Sequence, residues 1–270
     1  MAAGLAPSLD LVRRTVAVDL AYTLSRMRVL GRLAGNPIGI AYRQVEPHAF
    51  GLMARNLPTF NRVVGLRPGD ERHVRPLVDW YRENEVSPRF ELSPGDAGAL
   101  GRELARHGYY HSDVVCSLVG EPSPPPAVRD DGIVTERVTT SAVMEEFLEA
   151  YVRGWGILEQ YRDGFKANVR PWLQEPDWTL YVARRDGRVG AAAVLYVHDR
   201  IGYFADGCTD PAVRGRGLHT ALLGRRWHDA RAANGEFVCS QAAFLSTSHR
   251  NMERLGLRLL ALRSFWTEEK

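Results

Sequence analysis

The spacing of apolar residues predicts that helices and strands alternate along the 270-residue chain. In the second half, apolar residues three or four positions apart predict a central amphipathic helix: Leu223, Trp227, Ala230 and Ala233. Runs of β-type residues lie immediately before this helix, at 201–205, and immediately after it, at 236–239. A strand, a helix and a second strand in this order are typical of an α/β fold.

The first 120 residues show the same alternation. Helical spacing of apolar residues predicts one long amphipathic helix over 9–33. Further predicted elements follow in order: strands at 37–43 and 61–66, a helix capped by Asp70, a strand at 90–92, a helix at 97–106 and a strand over 109–118. A proline-rich run from Glu121 to Pro126 then favours an extended linker. We therefore predict a first α/β domain at 1–120, a linker at 121–129 and a second domain at 130–270.

The second domain is predicted to have a mixed sheet, because it combines hairpins with the strand–helix–strand unit. A strand at 133–138 and a helix from Ser141 come first, and an aromatic-rich stretch follows. Strands at 179–183 and 190–197 are joined by the turn Arg185-Asp186-Gly187, which is typical of a β-hairpin. A late helix begins near Ser248, which we expect to be its N-cap, and closing strands fall within 258–267.

Candidate chemistry lies in the turn Arg214-Gly215-Arg216-Gly217, just before the central helix. The first amides of a helix have no intrahelical partner and carry the positive end of the helix dipole. Glycines let this backbone approach a phosphate closely, and arginines add positive charge. The residue types therefore predict an anion-binding cradle. An ordinary strand–helix turn with surface arginines is the alternative.

The run Val213-Arg214-Gly215-Arg216-Gly217-Leu218 resembles the acetyl-CoA signature Arg/Gln-x-x-Gly-x-Gly/Ala of the GNAT superfamily of N-acetyltransferases. Arg214 and Gly217 match this signature, whereas His219 stands where Gly or Ala is usual. A second stretch, 248–257, is similar to the late helix of the family and ends in a Leu-Gly-Leu step. The two matches occur in the family's order, and together the resemblance covers roughly 130–270.

The resemblance implies a GNAT fold for 130–270 and an acyl-CoA donor, most often acetyl-CoA. It implies that the donor is bound by the end of the strand, the turn and the late helix: Cys208, Thr209, Arg214, Gly215, Arg216, Gly217, Leu218, His219, Thr220, Ser248 and Asn251. The element order of 1–120 parallels the second half of the GNAT arrangement, but 61–70 lacks the cofactor signature. We therefore expect 1–120 to be a degenerate GNAT-like domain, with an unrelated α/β domain as the alternative.

Transfer of an acyl group to an amine needs a base for the amine, donors for the developing oxyanion and a leaving thiolate. In this family a backbone amide of the strand before the turn commonly serves the carbonyl, which corresponds here to 207–209. Asp206 and Tyr203 are the candidate catalytic residues, since they lie nearest to the expected reaction centre. For Asp206, the alternative is a strand-end carboxylate bonded to a loop amide. Many GNAT enzymes use a Tyr acid where this chain has Met252, so water, Tyr196 or Tyr203 would replace it.

Composition restricts the possible partners and compartment. The net charge is +3, and Arg supplies all but two of the 35 basic residues, a bias typical of GC-rich bacteria rather than of nucleic-acid binding. Three widely spaced cysteines, the absence of a signal-peptide pattern and the short apolar runs favour a cytoplasmic protein without membrane segments. No histidine or cysteine spacing indicates a metal site. Arg225, Arg226 and Arg231 could begin a basic docking face, with solvated helix charges as the alternative.

The leading interpretation is an N-acetyltransferase that acylates a small-molecule amine directly, through a tetrahedral intermediate. A CoA-binding sensor without catalysis is an alternative from another class, and Met252 favours it. A third interpretation keeps the transferase chemistry but takes the acyl group from a carrier protein or an aminoacyl-tRNA. The amine, the acyl group and the oligomeric state are not determined by these patterns.

Overall fold

The structure is a computed structural model that describes residues 5–121 and 132–269. The predicted linker therefore lies outside the described residues, apart from Glu121. The helices and strands in chain order are α1 (Leu9–Gly31), β1 (Ile40–Glu46), β2 (Ala49–Ala54), β3 (Arg62–Val64), α2 (Val74–Glu83), β4 (Arg89–Leu92), α3 (Ala97–Arg106), β5 (Tyr109–Gly120), β6 (Ile133–Arg137), α4 (Ser141–Gly154), α5 (Arg162–Val169), β7 (Trp178–Arg185), β8 (Arg188–His198), β9 (Ile201–Thr209), α6 (Leu218–Ala232), β10 (Phe237–Ala243), α7 (Thr247–Arg254) and β11 (Arg258–Glu268). Short 3-10 helices lie between some of them, including Pro211–Val213 before the turn.

The chain divides into two compact units that are not contiguous in sequence. The N-terminal unit contains Pro7–Ser117, Ala242–Phe244 and the chain from Leu259 onward. The C-terminal unit contains the described parts of Leu118–Gln241, together with Leu245–Arg258. The sequence prediction assigned all of 130–270 to one domain, whereas the structure groups nearly all of β11 with the N-terminal unit.

Packing explains why β11 belongs to the N-terminal unit. Its Arg263 is only 1% exposed and donates a hydrogen bond of 3.2 Å to the Asp19 carboxylate of α1. Ser264 of the same strand pairs with Leu92 of β4. A buried guanidinium needs partners that offset its lost hydration, and here the carboxylate partner lies 244 positions away in sequence. The pattern of apolar residues near 258–267 carries no information about such a contact.

Within the N-terminal unit the strand order is β1-β2-β3-β4-β11-β5. β3 and β4 are parallel, with Val64 opposite Glu91, and α2 makes the crossover between them. The pairs β1/β2, β2/β3 and β4/β11 are antiparallel. The sheet is therefore mixed, and the predicted order of strands and helices in this half is confirmed, except that β2 was not predicted.

Within the C-terminal unit the strand order is β10-β9-β8-β7-β6. β9 and β10 form a parallel pair, and α6 is the crossover that connects them. The remaining pairs are antiparallel. The predicted β7–β8 hairpin is confirmed, because Asp186 and Gly187 have φ angles of 52° and 75°, as its tight turn requires.

Two predicted helix caps are corrected by the structure. The N-cap of α7 is Ser246 rather than Ser248, since its hydroxyl accepts a hydrogen bond of 3.2 Å from the amide of His249. Asp70 makes no side-chain cap on the helical segment that follows it. After α6 the chain turns through Asn234, which is left-handed with a φ of 57°. The next residue, Gly235, has no room for a side chain, because a Cβ there would lie 2.7 Å from the carbonyl oxygen of Ala230. Among the described residues, no helix combines the length and the hydropathy needed to cross a membrane.

Candidate functional site

The site is built where β9 and β10 separate. The parallel ladder runs from the pair Ile201/Phe237 to the pair Phe204/Ser240 and ends there. β9 nevertheless continues as a strand to Thr209. A cleft between two parallel strands therefore opens at their carboxyl ends, which is where α/β sheets generally bind ligands.

A β-bulge lies in β9 beside this separation. Ala205 pairs with Val194 of β8, and Cys208 pairs with Ala192, so three steps along β9 face two steps along β8. Asp206 lies within the bulge and has a φ of 45°, an uncommon backbone angle for a residue with a side chain. A bulge removes backbone groups from the ladder and changes the direction of the side chains around it.

Arg226 of α6 supports the bulge from the protein interior. Its side chain is 1% exposed and donates hydrogen bonds of 3.0 Å and 3.2 Å to the carbonyl oxygens of Val194 and Ala205. Burial lowers the pKa of this guanidinium to about 10, so it stays charged at neutral pH. Arg225 donates to the buried Asp229 carboxylate. Of the three arginines considered for a basic docking face, Arg225 and Arg226 thus make contacts within the protein, and Arg231 is exposed.

The turn after β9 is held by Asp210. Its carboxylate accepts hydrogen bonds from the amide of Ala212 at 3.0 Å, from Arg153 at 2.8 Å and from Arg188 at 3.2 Å. Burial raises the pKa of this carboxyl, but these bonds outweigh the effect and the pKa lies below its usual value. The chain is thereby fixed immediately before the glycines of the turn.

Both glycines of the turn adopt left-handed backbone angles. Gly215 has a φ of 76° with no atom near the position of a Cβ, and Gly217, the N-cap of α6, has a φ of 84°. Arg214 and Arg216 are exposed. The predicted combination of open glycines, cationic side chains and a helix N-terminus is therefore present in one place.

A cavity of about 740 Å³ occupies the cleft between the turn, the end of β9 and α7. All eleven residues that the sequence assigned to donor binding line it: Cys208, Thr209, Arg214, Gly215, Arg216, Gly217, Leu218, His219, Thr220, Ser248 and Asn251. Six further lining residues were not predicted: Gly154, Trp155, Gly207, Val213, Thr247 and Arg254. Arg254 could have been found from its i+3 spacing to Asn251, because both lie on one helix face. No local signal connects Trp155 with the turn.

A chain of hydrogen bonds crosses the cavity wall from α7 to α6. Arg254 donates to the Oδ1 atom of Asn251 at 2.9 Å, and this contact orients the amide so that its Nδ2 faces Nδ1 of His219 at 3.3 Å. Burial lowers the pKa of His219 to about 4, so the imidazole is neutral at physiological pH. Because Nδ1 accepts, the ring proton lies on Nε2, which is 3.4 Å from the position a Cβ on Gly207 would take.

The candidate catalytic side chains lie outside the residues that line this cavity. Asp206 accepts a hydrogen bond of 3.3 Å from the Tyr151 hydroxyl, and Tyr203 is buried in the sheet opposite Tyr196. Met252, at the family's Tyr position, is also buried. Burial raises the pKa of the Cys208 thiol to about 12, which leaves it protonated and unsuited to be a nucleophile.

One group of possible metal ligands occurs in the N-terminal unit. Ligand atoms of Glu46, Asp70 and His73 lie within 4.8 Å of one another. Each of these side chains already has a protein partner: His73 contacts Glu46 at 2.8 Å, and Asp70 contacts His48 at 2.9 Å. We therefore propose no metal site here.

Comparisons with known proteins agree with this geometry. Residues 127–239 match the family model of the acetyltransferase (GNAT) domain. A search of curated protein sequences finds no match. Among solved structures, a GCN5-related N-acetyltransferase from Kribbella flavida is similar with a TM-score of 0.70 at 17% identity, covering 96% of this chain and 95% of that one.

Two other solved structures extend the similarity over the chain. A GCN5-related N-acetyltransferase from Sphaerobacter thermophilus has a TM-score of 0.63 at 16% identity, covering 96% of this chain and 91% of its own. A tandem GNAT protein from the clavulanic acid biosynthesis pathway also has a TM-score of 0.63 at 16% identity, covering 98% and 97%. At such identities the similarity concerns the fold, and it includes the N-terminal half. The chain thus has the fold of these proteins, and its residues 127–239 match the model of the acetyltransferase (GNAT) domain.

Proposed function

We propose that this protein is an N-acyltransferase that uses acetyl-CoA as the donor and a small-molecule amine as the acceptor. The observation that carries the proposal is the cavity at the separation of β9 and β10, which all eleven predicted donor-binding residues line. The match to an acetyltransferase domain over the same part of the chain supports it.

The residues of the cavity fit the phosphates of a CoA donor. Free amides at the start of α6 offer hydrogen bonds and a positive dipole end to an anion. Arg214, Arg216 and Arg254 add three guanidinium groups along the same wall. At about 740 Å³, the volume is within the usual range for a site that encloses a small ligand. When bound, acetyl-CoA would supply an activated thioester carbonyl.

The bulge supplies candidate donors for the carbonyl oxygen. Gly207 and Cys208 line the cavity at the point where the bulge interrupts pairing with β8. Amides that leave a ladder are available to a ligand, and Arg226 keeps their geometry by binding the carbonyl of Ala205. The neutral His219 adds a further N–H donor beside Gly207 without adding charge.

Asp206 is the proposed base for the incoming amine. Its carboxylate is half-buried, lies next to Gly207 in the chain and accepts a hydrogen bond from the Tyr151 hydroxyl. If Asp206 takes the proton, Asp206→Asn should reduce turnover by about 10²–10⁴-fold. The loss should shrink at high pH, where more of the amine is already unprotonated.

The matched control for this variant is Asp199→Asn, which changes a highly exposed carboxylate in a turn of the same unit. The pH–rate profiles of the folded variants and the parent decide the role of Asp206. Profiles of Asp206→Asn and the parent that overlap would exclude it as the base, and Tyr203 or water would remain.

The function itself is tested in two stages. Acetyl-CoA, other acyl-CoAs and free CoA are first screened for an increase in melting temperature. Release of CoA is then measured with a panel of small amines, and the acylated amine is identified by mass spectrometry. Stabilisation by CoA without turnover would favour the sensor, which the buried Met252 at the Tyr position supports. Turnover only with an acylated carrier protein or an aminoacyl-tRNA would replace the donor in this proposal.

A further inference from the structure

The N-terminal unit contains a cavity of its own. Its volume is about 280 Å³, and it lies beyond the carboxyl ends of the parallel strands β3 and β4, against α1. Residues that directly follow these strands line it, among them Leu66, Arg67 and Ser93. This is the position at which α/β sheets generally bind ligands, although the turn here has no glycine–arginine signature.

Asp96 lines this cavity and is a buried carboxylate without a protein partner. Asp96 is 7% exposed, and within the described ranges its side chain makes no hydrogen bond or ion pair. Asp96 stands at the N-cap of α3, but its backbone is helical (φ −91°, ψ −21°) and its side chain caps no amide. The surrounding chain provides no donor for this carboxylate, so water or a ligand in the cavity must supply one.

Two guanidinium groups at the same cavity also lack a carboxylate partner in the described part of the chain. Arg13 of α1 and Arg67 of the turn both line the cavity and form no ion pair there. Burial raises the pKa of the Asp96 carboxyl, while the positive charges of Arg13 and Arg67 act in the opposite direction. Opposite charges thus face one cavity close enough to interact, yet they do not meet in a direct bond.

The rest of the wall is apolar. Leu20 and Leu24 of α1 pack in one cluster with Phe50 of β2, and all three line the cavity. His48 is held by a hydrogen bond of 2.9 Å to Asp70 and so is not free to neutralise Asp96. A ligand that satisfies the site must bring a cation for Asp96, an anion for the arginines and an apolar group for this wall.

We propose that this cavity binds a small zwitterion with an apolar side chain, an α-amino acid by chemical class, whose ammonium group is bound by Asp96 and whose carboxylate is bound by Arg13 and Arg67. The volume of about 280 Å³ suits a molecule of this size rather than a nucleotide. The proposal does not rest on the acyl transfer proposed for the C-terminal unit.

The test uses calorimetry on the full chain with L-leucine and L-phenylalanine as probes. At least one of them should bind with one site per chain and a Kd below about 1 mM. Two probes that each lack one charge of leucine provide the comparison: 3-methylbutylamine has no carboxylate, and 4-methylpentanoate has no ammonium group. Each should bind at least about tenfold more weakly than leucine, because each leaves part of the site unsatisfied.

Variants locate the binding. Asp96→Asn and Arg13→Gln should each weaken leucine binding by about tenfold or more. The matched controls are Asp79→Asn and Arg75→Gln, which alter an exposed ion pair on α2 away from the cavity and should leave binding unchanged. If Asp96→Asn does not fold, two other measurements decide whether the site binds both charges of the ligand. They are leucine binding by Asp96→Glu and the comparison of leucine with its two single-charge analogues on the parent protein.

Three results would overturn the proposal. The first is the absence of binding by any of the twenty standard amino acids to the folded parent. The second is unchanged binding in folded Asp96→Asn and Arg13→Gln, which would locate the ligand elsewhere. The third is equal binding of leucine and 3-methylbutylamine, which would indicate a site for cations alone.

Discussion

The two units contain the same strand–turn–helix arrangement, but different charged groups surround the two turns. β3 leads through a turn into α2, and β9 leads through a turn into α6, and each strand has a parallel neighbour after its helix. In the C-terminal unit the turn carries exposed arginines, and the space around the Cβ position of Gly215 is open. In the N-terminal unit the protein's own carboxylates bind the turn amides: Asp70 accepts from Arg67 at 2.9 Å, and Glu71 accepts from Gly69 at 2.9 Å.

The glycines of the two turns also serve different purposes. Gly65 is left-handed, and a Cβ there would lie 1.9 Å from the carbonyl oxygen of His48, so the chain itself fills the space. Around Gly215 no atom lies near the Cβ position. A turn of this kind offers positions for an anion, and one unit fills them with its own side chains while the other leaves them open. This difference gives a physical reason to expect that the N-terminal half has lost its cofactor turn.

The largest expected effect comes from closing the open turn. Gly217→Leu would add a side chain at a φ of 84°, where a Cβ already approaches Ile133 to 3.1 Å. We expect CoA affinity to fall by about 100-fold or more, because the backbone can no longer approach a phosphate. The measurement is a calorimetric titration with CoA.

The control for this variant is Gly187→Leu. Gly187 has a similar φ of 75°, no atoms near its Cβ position and a location in the β7–β8 turn. It therefore tests the backbone strain without the cavity. A Gly217→Leu protein that folds and binds CoA as tightly as Gly187→Leu would show that the turn is not the phosphate site.

The next effect concerns the turn that is already filled. Asp70→Ala leaves the Arg67 amide and His48 without their acceptor, and we expect a loss of about 1–3 kcal/mol in the free energy of unfolding. Burial raises the Asp70 pKa, but its bonds to His48 and Arg67 hold it below the usual value. The ionised Asp70 carboxylate therefore contributes its full stabilisation above the pKa that this group has in the unfolded chain. The contribution is lost as pH falls through the lower pKa of the same group in the folded protein. Denaturant titrations between pH 7 and the acid range measure both effects.

The stoichiometry of CoA binding sharpens the same comparison. If only the open turn receives phosphate, the full chain should bind about one CoA, and Asp70→Ala should not change that number. Calorimetry of the parent and the variant measures it. Two sites in the parent would contradict the assignment of the N-terminal turn as closed.

A smaller effect is expected from single cationic side chains. Arg214→Gln removes one exposed charge from the open turn and should weaken CoA binding about 3–10-fold, with a larger loss at low ionic strength. Arg67→Gln removes the corresponding kind of charge from the filled turn and should leave CoA binding unchanged. Titrations at two salt concentrations compare them. Equal losses in both variants would mean that the net charge of the protein, rather than the turn, determines affinity.

The smallest effect is the response of His219 to pH. Burial lowers its pKa to about 4, so its NMR signals should not titrate between pH 5 and 8. The pKa of His219 in the folded protein lies below the value of about 6.5 in the unfolded chain. Its contribution to the stability of the fold is therefore complete above pH 6.5 and is lost as pH falls toward 4. A midpoint near 6.5 in the folded protein would contradict the half-buried, hydrogen-bonded position of the ring.

Much of the candidate site was determined by the sequence itself, because its requirements are local. Left-handed angles need glycine at Gly215 and Gly217, and helical periodicity identifies α6 directly after them. The hairpin at Asp186 and Gly187 follows from the same rule. These features depend on neighbours in the chain, so the order of residue types is enough to predict them.

Tertiary structure alone decided which distant groups meet. It paired Arg263 with Asp19, buried Arg226 under the bulge of β9, brought Trp155 to the turn and left Asp96 without a partner at a cavity. A charged residue in the sequence is equally compatible with a solvated surface and with a buried contact. Which of the two occurs depends on the burial and charge balance created by segments far away in the chain, and local patterns contain no record of that balance.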